Sequence, residues 1–288
     1  TIWFADTNNS KIVKVEAWGF SLGAVIALDN VTDITVRNSI VRDSYSNINT
    51  YGGQGRPQLT GRTIDDSTND FSEDVTIVGN TFRNLRFGPA AFAAYGYETD
   101  GITVVANNAA QPGGNPNDRA QRVHIIGNVF DTVGEGVDFF GGNGLIKQNV
   151  TRNTYLFGIK LIHGARNTTV KDNIVTAAGM ASITVHGSDM PNVITGGNLI
   201  WDNQISEVGR LSAFCGPGVL AAYRVHATCP ITPAAMAFWV GDGDSTSSEL
   251  EPKLTMFFGN TVTASIADVR MQYLIRASGN VNNSLFFA

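Results

Sequence analysis

Two acidic residues stand directly before a glycine at the start of two similar short segments. Asp100 opens DGITVVANN, and Glu135 opens EGVDFFGGN, which also contains Asp138. Neighbouring carboxyl groups can hydrolyse a glycosidic bond, because one protonates the leaving oxygen while the other activates water or attacks the sugar. Asp100 with Glu135, or Glu135 with Asp138, is therefore a candidate catalytic pair. The alternative for each acid alone is an ordinary surface residue at a turn.

Basic residues follow in the next segments and could support a different reaction. Lys160, His163 and Arg166 lie in GIKLIHGARN, and His186 lies in ASITVHG. Removal of the proton next to a uronate carboxylate needs such a base, together with positive charge that stabilises the enolate. These residues predict a lyase or an epimerase. The alternative for Lys160 is a surface ion pair with Asp138, which would be worth about 0–1 kcal/mol.

These candidates occupy segments of one common form, in which a glycine precedes a β-rich run and an asparagine follows. The segments begin at Gly23, Gly101, Gly136 and Gly158, and one without the glycine begins at Ala181. Because side chains alternate along a strand, the inward positions should stack in two core columns: Ile102, Val137, Ile159 and Ile183, then Val104, Phe139, Leu161 and Val185. The predicted outward columns are Thr103, Asp138, Lys160 and Thr184, then Val105, Phe140, Ile162 and His186.

This alignment places the candidates on one face of the protein. Strands of adjacent coils lie about 4.8 Å apart, so Asp138 and Lys160 should form an ion pair, and Asp100 should lie near Glu135. His163 is expected at the corner that ends its strand, close to Arg166. Three aromatic residues could offer flat surfaces to sugar rings or could simply cover a long loop; they are Tyr95, Tyr97 and Phe140.

A recurring asparagine predicts the architecture that positions these residues. It follows a short β-rich run and precedes an apolar or β-branched pair at Asn38, Asn80, Asn128, Asn149, Asn173, Asn198 and Asn260. A repeat of 20–50 residues made of strands is typical of a solenoid. Asparagine suits the corner of each coil, because it tolerates left-handed backbone and its amide can bond the equivalent amide one coil away. We predict an all-β, right-handed parallel β-helix with loop insertions on one face.

Through its Gly-strand-Asn coils over residues 20–205, the chain resembles the pectate-lyase-like superfamily of right-handed parallel β-helices. The segment TDGITV, from Thr99 to Val104, resembles the strand opening of polygalacturonase-type hydrolases, which implies that Asp100 is the first catalytic acid. Glu135 then stands where that family's acid pair begins, with Gly136 in the second place. The segment GIKLIHGARN resembles a strand of alginate and chondroitin lyases, although Ile162 replaces the arginine that those lyases place before His-Gly.

Residues 1–288 are predicted to form one β-helix domain that lacks its N-terminal cap, with 204–250 as an inserted loop region. Cys215 and Cys229 lie 14 residues apart in that region. A disulfide that closes this loop is the simplest interpretation, and two buried free thiols are the alternative. A disulfide would favour a secreted, extracellular or periplasmic protein.

Charge and motifs exclude several other classes. The formal net charge of −5 gives no basic surface for nucleic acid, and no apolar run reaches the length of a membrane-spanning helix. We expect no cofactor and no metal site, apart from at most a weak calcium loop among scattered acids, namely Asp65, Asp66, Asp70, Glu73 and Asp74. The oligomeric state is open, and a trimer would suit a phage-type β-helix.

The sequence thus predicts a secreted protein that acts on a polysaccharide. Our first interpretation is an enzyme that cleaves or modifies a uronate-containing polysaccharide, by lyase or glycoside hydrolase chemistry. The alternative is a carbohydrate-binding, adhesin or tail-fibre module without catalysis, because fold alone does not decide function. The long loops around residues 85–120 and 204–250 favour a site over a plain shaft.

Overall fold

Strands of three parallel sheets build most of the described chain. The computed structural model describes residues 2–19, 26–29, 31–46, 58–60, 72–87, 100–105, 120–187, 194–219, 228, 235–241, 254–264, 271–278 and 284–286. Every described pairing between named strands joins one coil to the next in parallel. Each coil visits the three sheets in turn, and this arrangement is the predicted right-handed parallel β-helix.

Sheet 1 carries the candidate residues, and its strands in order are β1 (Ile2–Ala5), β4 (Ile26–Asp29), β7 (Gln58–Thr60), β10 (Ile102–Val105), β13 (Val137–Phe139), β16 (Phe157–Leu161), β19 (Ala181–His186), β22 (Ala235–Gly241) and β25 (Met271–Ser278). Sheet 2 consists of β2 (Asn8–Val13), β5 (Thr32–Arg37), β8 (Glu73–Val78), β11 (His124–Ile126), β14 (Leu145–Lys147), β17 (Thr169–Lys171), β20 (Leu199–Trp201), β23 (Met256–Phe258) and β26 (Leu285–Phe286). Sheet 3 consists of β3 (Glu16–Trp18), β6 (Ile40–Ser46), β9 (Thr81–Phe87), β12 (Val129–Val133), β15 (Val150–Thr154), β18 (Ile174–Ala178), β21 (Gln204–Ser206) and β24 (Thr261–Thr263).

The strand register confirms the predicted columns of sheet 1. Val137 pairs with Ile102 on one side and Ile159 on the other, and Ile183 follows. All of these inward side chains are fully buried. One strand further the same core column is filled by Phe238. Branched apolar side chains on a pleated surface interlock in this way, so each coil rests on its neighbour through its core.

The register also confirms the outward column and extends it. Asp138 pairs with Thr103 and with Lys160, and Lys160 pairs with Thr184. Beyond the predicted members the column continues into residues of β22 and β25, which are Trp239 and Arg276.

An asparagine ladder closes the corner between sheets 2 and 3. The side-chain oxygen of each member accepts the backbone N–H and the side-chain amide of the member before it, at 2.9–3.1 Å. The members are Asn80, Asn128, Asn149, Asn173, Asn203 and Asn260. The predicted bond between equivalent amides of adjacent coils is confirmed for Asn80, Asn128, Asn149, Asn173 and Asn260, and Asn203, which the sequence pattern did not assign, is a sixth member.

Two asparagines assigned to the ladder lie elsewhere. Asn38 precedes the ladder position by one residue. Ser39 occupies that position, and its N–H donates to Asn80 Oδ1. Asn198 belongs to the corner between sheets 1 and 2, where its oxygen accepts the N–H of Thr168. An asparagine followed by two apolar residues, as in NLI at Asn198, is compatible with both corners, because the backbone at each corner needs hydrogen-bond partners just before a strand begins.

Left-handed backbone falls on the residue before each ladder asparagine and not on the asparagine itself. Gly79, Gln148, Asp172 and Asp202 have φ between 52° and 65°. The expectation that the repeated asparagines adopt this conformation is therefore wrong, apart from Asn38, whose φ is 53°. The amides of the ladder asparagines instead supply the hydrogen bonds that the turning backbone cannot make within its own coil.

The predicted insertion at 204–250 contains strands of two sheets. β21 and β22 both lie inside this range and pair in register with the coils before and after them. Phe214 and Cys215 pack with Tyr155 and Leu211 in a second apolar cluster. The disulfide stays a prediction, because Cys229 lies outside the described residues. Among the residues that the structure describes, none belongs to a helix long and apolar enough to cross a membrane.

Candidate active site on the outer face of sheet 1

Two glycines bring the acidic residues of successive coils close together. The N–H of Gly101 donates to the backbone oxygen of Glu135 at 2.8 Å. A Cβ atom added to Gly136 would lie 2.4 Å from the backbone oxygen of Gly158, and one on Gly101 would meet the ring of Phe130 at 2.3 Å. No side chain fits at these positions. The glycines therefore allow the residues before them, Asp100 and Glu135, to occupy adjacent coils.

Three carboxyl groups meet at this place. Asp100, Glu135 and Asp138 each have an oxygen within 4.8 Å of an oxygen of the other two, and all three residues are buried. The hydroxyl of Thr103 donates to Asp100 Oδ2 at 3.0 Å. The predicted proximity of Asp100 and Glu135 is confirmed, and Asp138 joins them.

Lys160 supplies the positive charge in this acidic cluster. Its ammonium lies 2.9 Å and 2.8 Å from the two carboxylate oxygens of Glu135, and 3.5 Å from Asp138 Oδ1. The predicted ion pair with Asp138 is present, but Glu135 is the nearer partner. The pair is also buried, with Glu135 at 0% and Lys160 at 8% exposure. The interpretation as a surface ion pair is therefore wrong, and the energetics are those of buried charges.

His186 lies beside this cluster in an aromatic surrounding. Its ring meets the ring of Trp239 edge-on at 4.6 Å and that of Phe157 at 5.5 Å. Burial, together with the nearby charges of Lys160 and His163, lowers the pKa of His186 from 6.5 to about 3. His186 is therefore a neutral imidazole at physiological pH.

The remaining predicted residues are distributed around the cluster. His163 lies in the turn after strand β16, which ends at Leu161, and its ring meets that of Phe140 edge-on at 4.9 Å. Arg166 lies in the same connection between β16 and β17, where its backbone bridges Gly142 and Gly196. Tyr95 and Tyr97 lie outside the described residues, so their role as sugar-binding surfaces stays a prediction.

The sequence interpretation missed Phe157, Trp239 and Arg276 as members of this face. Phe157 and Trp239 pack together with Met236 as a separate buried cluster, and Arg276 stacks on Trp239 at 5.0 Å. A partial signal for Trp239 was present, because AMAFWVG is a β-rich run of the same length as ASITVHG. The two strands pair one residue away from the alignment of their final glycines, with Thr184 opposite Trp239 and His186 opposite Gly241.

The three carboxyl groups are close enough to hold a metal ion. The ammonium of Lys160, however, already lies against Glu135 and Asp138 and supplies the charge that a cation would bring.

The calcium loop considered in the sequence analysis involves a different group of acids. Glu73 and Asp74 pair with Arg122, and the other members lie outside the described residues, namely Asp65, Asp66 and Asp70.

Comparison with known proteins places the chain in a structural class. No protein-family model and no curated protein sequence matches it. Among solved structures, a tailspike protein of E. coli bacteriophage HK620 in complex with a pentasaccharide is similar with a TM-score of 0.64 and 13% identity, over 98% of this chain and 43% of the tailspike chain. An alginate lyase from Paenibacillus is similar with a TM-score of 0.53 and 11% identity, over 92% of this chain and 75% of the lyase chain.

At these identities the likeness concerns the fold alone. The chain shares the parallel β-helix with both proteins, and it spans less than half of the tailspike's length. This agrees with the parallel β-helix that the Gly-strand-Asn coils predict.

Proposed function

We propose that this chain is a secreted glycoside hydrolase that cleaves a polysaccharide lying along the outer face of sheet 1. The observation that carries the proposal is the cluster of Asp100, Glu135 and Asp138, whose oxygens lie within 4.8 Å of one another. Carboxyl groups at such short range match the retaining hydrolysis of a glycosidic bond, in which one group protonates the leaving oxygen and the other attacks the sugar. Two similar folds, one solved with a pentasaccharide and one an alginate lyase, support a polysaccharide as the substrate.

Charge divides the work among the three acids. Lys160 contacts both oxygens of Glu135, so Glu135 stays ionised and the pair remains neutral. Asp100 and Asp138 are then two like groups at short range, and one of them gains by holding a proton. Asp138 stands in the outward column and keeps 7% exposure, whereas Asp100 is fully buried. Burial favours the proton on Asp100, whereas the ammonium of Lys160, 3.5 Å from Asp138 Oδ1, favours the ionised form of Asp138. Asp100 is therefore assigned as the acid that protonates the leaving oxygen, and Asp138 as the nucleophile that attacks the sugar.

The same geometry gives less support to a lyase or an epimerase. Those reactions need a cation that neutralises the uronate carboxylate beside the abstracted proton. Lys160 is already engaged by Glu135 and Asp138, and His186 is a neutral, buried side chain. Three acids around one ammonium would repel a carboxylate at the cleavage point. Hydrolysis has no such requirement.

The proposal is tested by incubation with a panel of acidic and neutral polysaccharides, with new reducing ends and unsaturated-uronate absorbance followed in parallel. Reducing ends should rise without absorbance. The substitution Asp100→Asn should lower the rate by about 10²–10⁴-fold, the usual contribution of a general acid. Asp131→Asn on sheet 3 is the matched control, because Asp131 lies away from this face in an ion pair with Arg152, and it should keep the full rate.

Two outcomes would contradict hydrolysis in different ways. Absorbance that rises together with reducing ends would identify a lyase, and Lys160 and His186 would become the residues to substitute. If neither reducing ends nor absorbance rises, and one polysaccharide retains the protein in an affinity gel, the protein would be the binding or adhesin module that the sequence leaves open.

A further inference from the structure

The outward column of sheet 1 ends in a cation that the hydrolytic reaction does not use. Arg276 follows Trp239 in the strand register, in the same column as Asp138, Lys160 and Thr184. Its guanidinium carbon lies 5.0 Å from the centre of the Trp239 ring. Trp239 is held in place by a hydrogen bond from its Nε1 to Ser278 Oγ at 3.0 Å.

Arg276 differs from the other cation of this column in its charge partners. Lys160 contacts Glu135 and Asp138, whereas no carboxylate among the described residues lies within ion-pairing distance of Arg276. The side chain is half-buried, so it has lost some of its water, and no carboxylate that the structure describes compensates for this loss. A guanidinium stacked on an aromatic ring keeps its N–H edges available for a planar anion.

We propose that Arg276 and Trp239 form a subsite that binds a carboxylate of the polysaccharide. A carboxylate matches the fork of a guanidinium with two parallel hydrogen bonds, which makes it the expected anion on a sugar. The chain carries a formal net charge of −5, so its overall field repels a polyanion, and recognition depends on a local cation such as this one.

The position of the subsite defines the substrate further, and this step rests on the proposed hydrolysis. Four coil steps separate Asp138 from Arg276, which corresponds to about 19 Å along the axis. The acid cluster disfavours a carboxylate at the cleaved bond, while Arg276 favours one at a distance from it. The substrate is therefore a heteropolysaccharide whose acidic unit lies several sugars away from the bond that is cleaved.

The test measures retention in native gels that contain xanthan, whose carboxylates are spaced by neutral sugars, carboxyl-reduced xanthan, polygalacturonate or dextran. Wild-type protein should be retained more strongly by xanthan than by the two neutral polymers. Arg276→Gln should weaken that retention about tenfold, as expected for the loss of a charge-assisted contact, and Arg276→Lys should lie between them. Arg37→Gln is the control with the same charge change, because Arg37 is exposed on β5 of sheet 2, and it should have less than a twofold effect.

Three results would overturn the subsite. They are equal retention of wild type by acidic and neutral polymers, retention by none of them, and an effect of Arg276→Gln no larger than that of Arg37→Gln. Retention that depends on Arg276 in a protein that releases no reducing ends would refute the hydrolase and leave the subsite in place. The two proposals therefore fail separately.

Discussion

Replacement of Lys160 by methionine tests whether the acid cluster depends on its single ammonium. Methionine keeps an unbranched apolar stem, but the charge that lies 2.8 Å and 2.9 Å from the oxygens of Glu135 is lost. Glu135 is fully buried, and Asp100 and Asp138 lie within 4.8 Å. Removal of one partner of a buried ion pair costs about 3–5 kcal/mol, because the other charge stays buried without compensation. We expect the free energy of unfolding to fall by that amount.

A second substitution separates the charge effect from lost packing. Glu135→Gln removes the charge that Lys160→Met leaves behind, so the double variant should be more stable than Lys160→Met alone, with a coupling of about 1–3 kcal/mol between the two sites. The assay is urea unfolding of the wild type, both single variants and the double variant, followed by intrinsic fluorescence. The matched control is the exposed pair of Arg152 and Asp131, where loss of the arginine should cost no more than about 1 kcal/mol.

Additive effects of the two substitutions on the free energy of unfolding would refute this reasoning. If the effects of Lys160→Met and Glu135→Gln simply sum, the two side chains do not interact in the folded protein. If Lys160→Met costs no more than the Arg152 control, the ammonium of Lys160 does not compensate buried carboxylates, and the assignment of acid and nucleophile in the proposed hydrolysis would lose its basis.

Two further predictions concern the ladder and the histidine. Asn149→Ala removes two donated and two accepted hydrogen bonds at 2.9–3.1 Å from a buried position, so the free energy of unfolding should fall by about 2–4 kcal/mol and the amide of Asn128 should lose protection from hydrogen exchange. Asn8→Ala, on an exposed position of β2, should change neither quantity, and equal effects of the two substitutions would contradict the role of the ladder. For His186, the folded pKa of about 3 lies below the ordinary 6.5, so the unfolded chain takes up a proton first as the pH falls. The free energy of unfolding should therefore fall between pH 6.5 and 3, by up to about 5 kcal/mol. In urea unfolding across this pH range, His186→Phe should lose less of it than the wild type. If the free energies of the two proteins fall equally with pH, His186 is not the cause of the loss.

The sequence was sufficient to predict the solenoid and the register of its most regular coils. Inward and outward positions alternate strictly along a strand, so the glycine before each strand was enough to place Asp138 beside Lys160. The asparagine repeat also identified the corner of most coils. It failed at Asn198, because two different corners both precede a strand and both need an amide there.

The missed features depend on properties that a strand pattern does not contain. Glu135 lies just before its strand, where the alternation no longer applies, and the long flexible stem of Lys160 reaches it in preference to Asp138. Trp239 lies 53 residues after His186 in number, yet its strand β22 pairs directly with β19. An argument based on a regular coil length cannot identify a neighbouring strand that is separated by so many more residues.

The ladder has a consequence for how this scaffold can change. Consecutive members are 48, 21, 24, 30 and 57 residues apart, yet the N–H to oxygen distances stay at 2.9–3.0 Å. The stacking of the coils thus depends little on how many residues lie between two corners, since the entropic cost of a longer loop grows only logarithmically with its length. Insertions and deletions can therefore exchange whole loops between the corners, which under the proposed function would alter which sugars are accepted, while the outer face of sheet 1 keeps its geometry. The coil from Asn128 to Asn149, with 21 residues, is the natural graft point for such loop exchange.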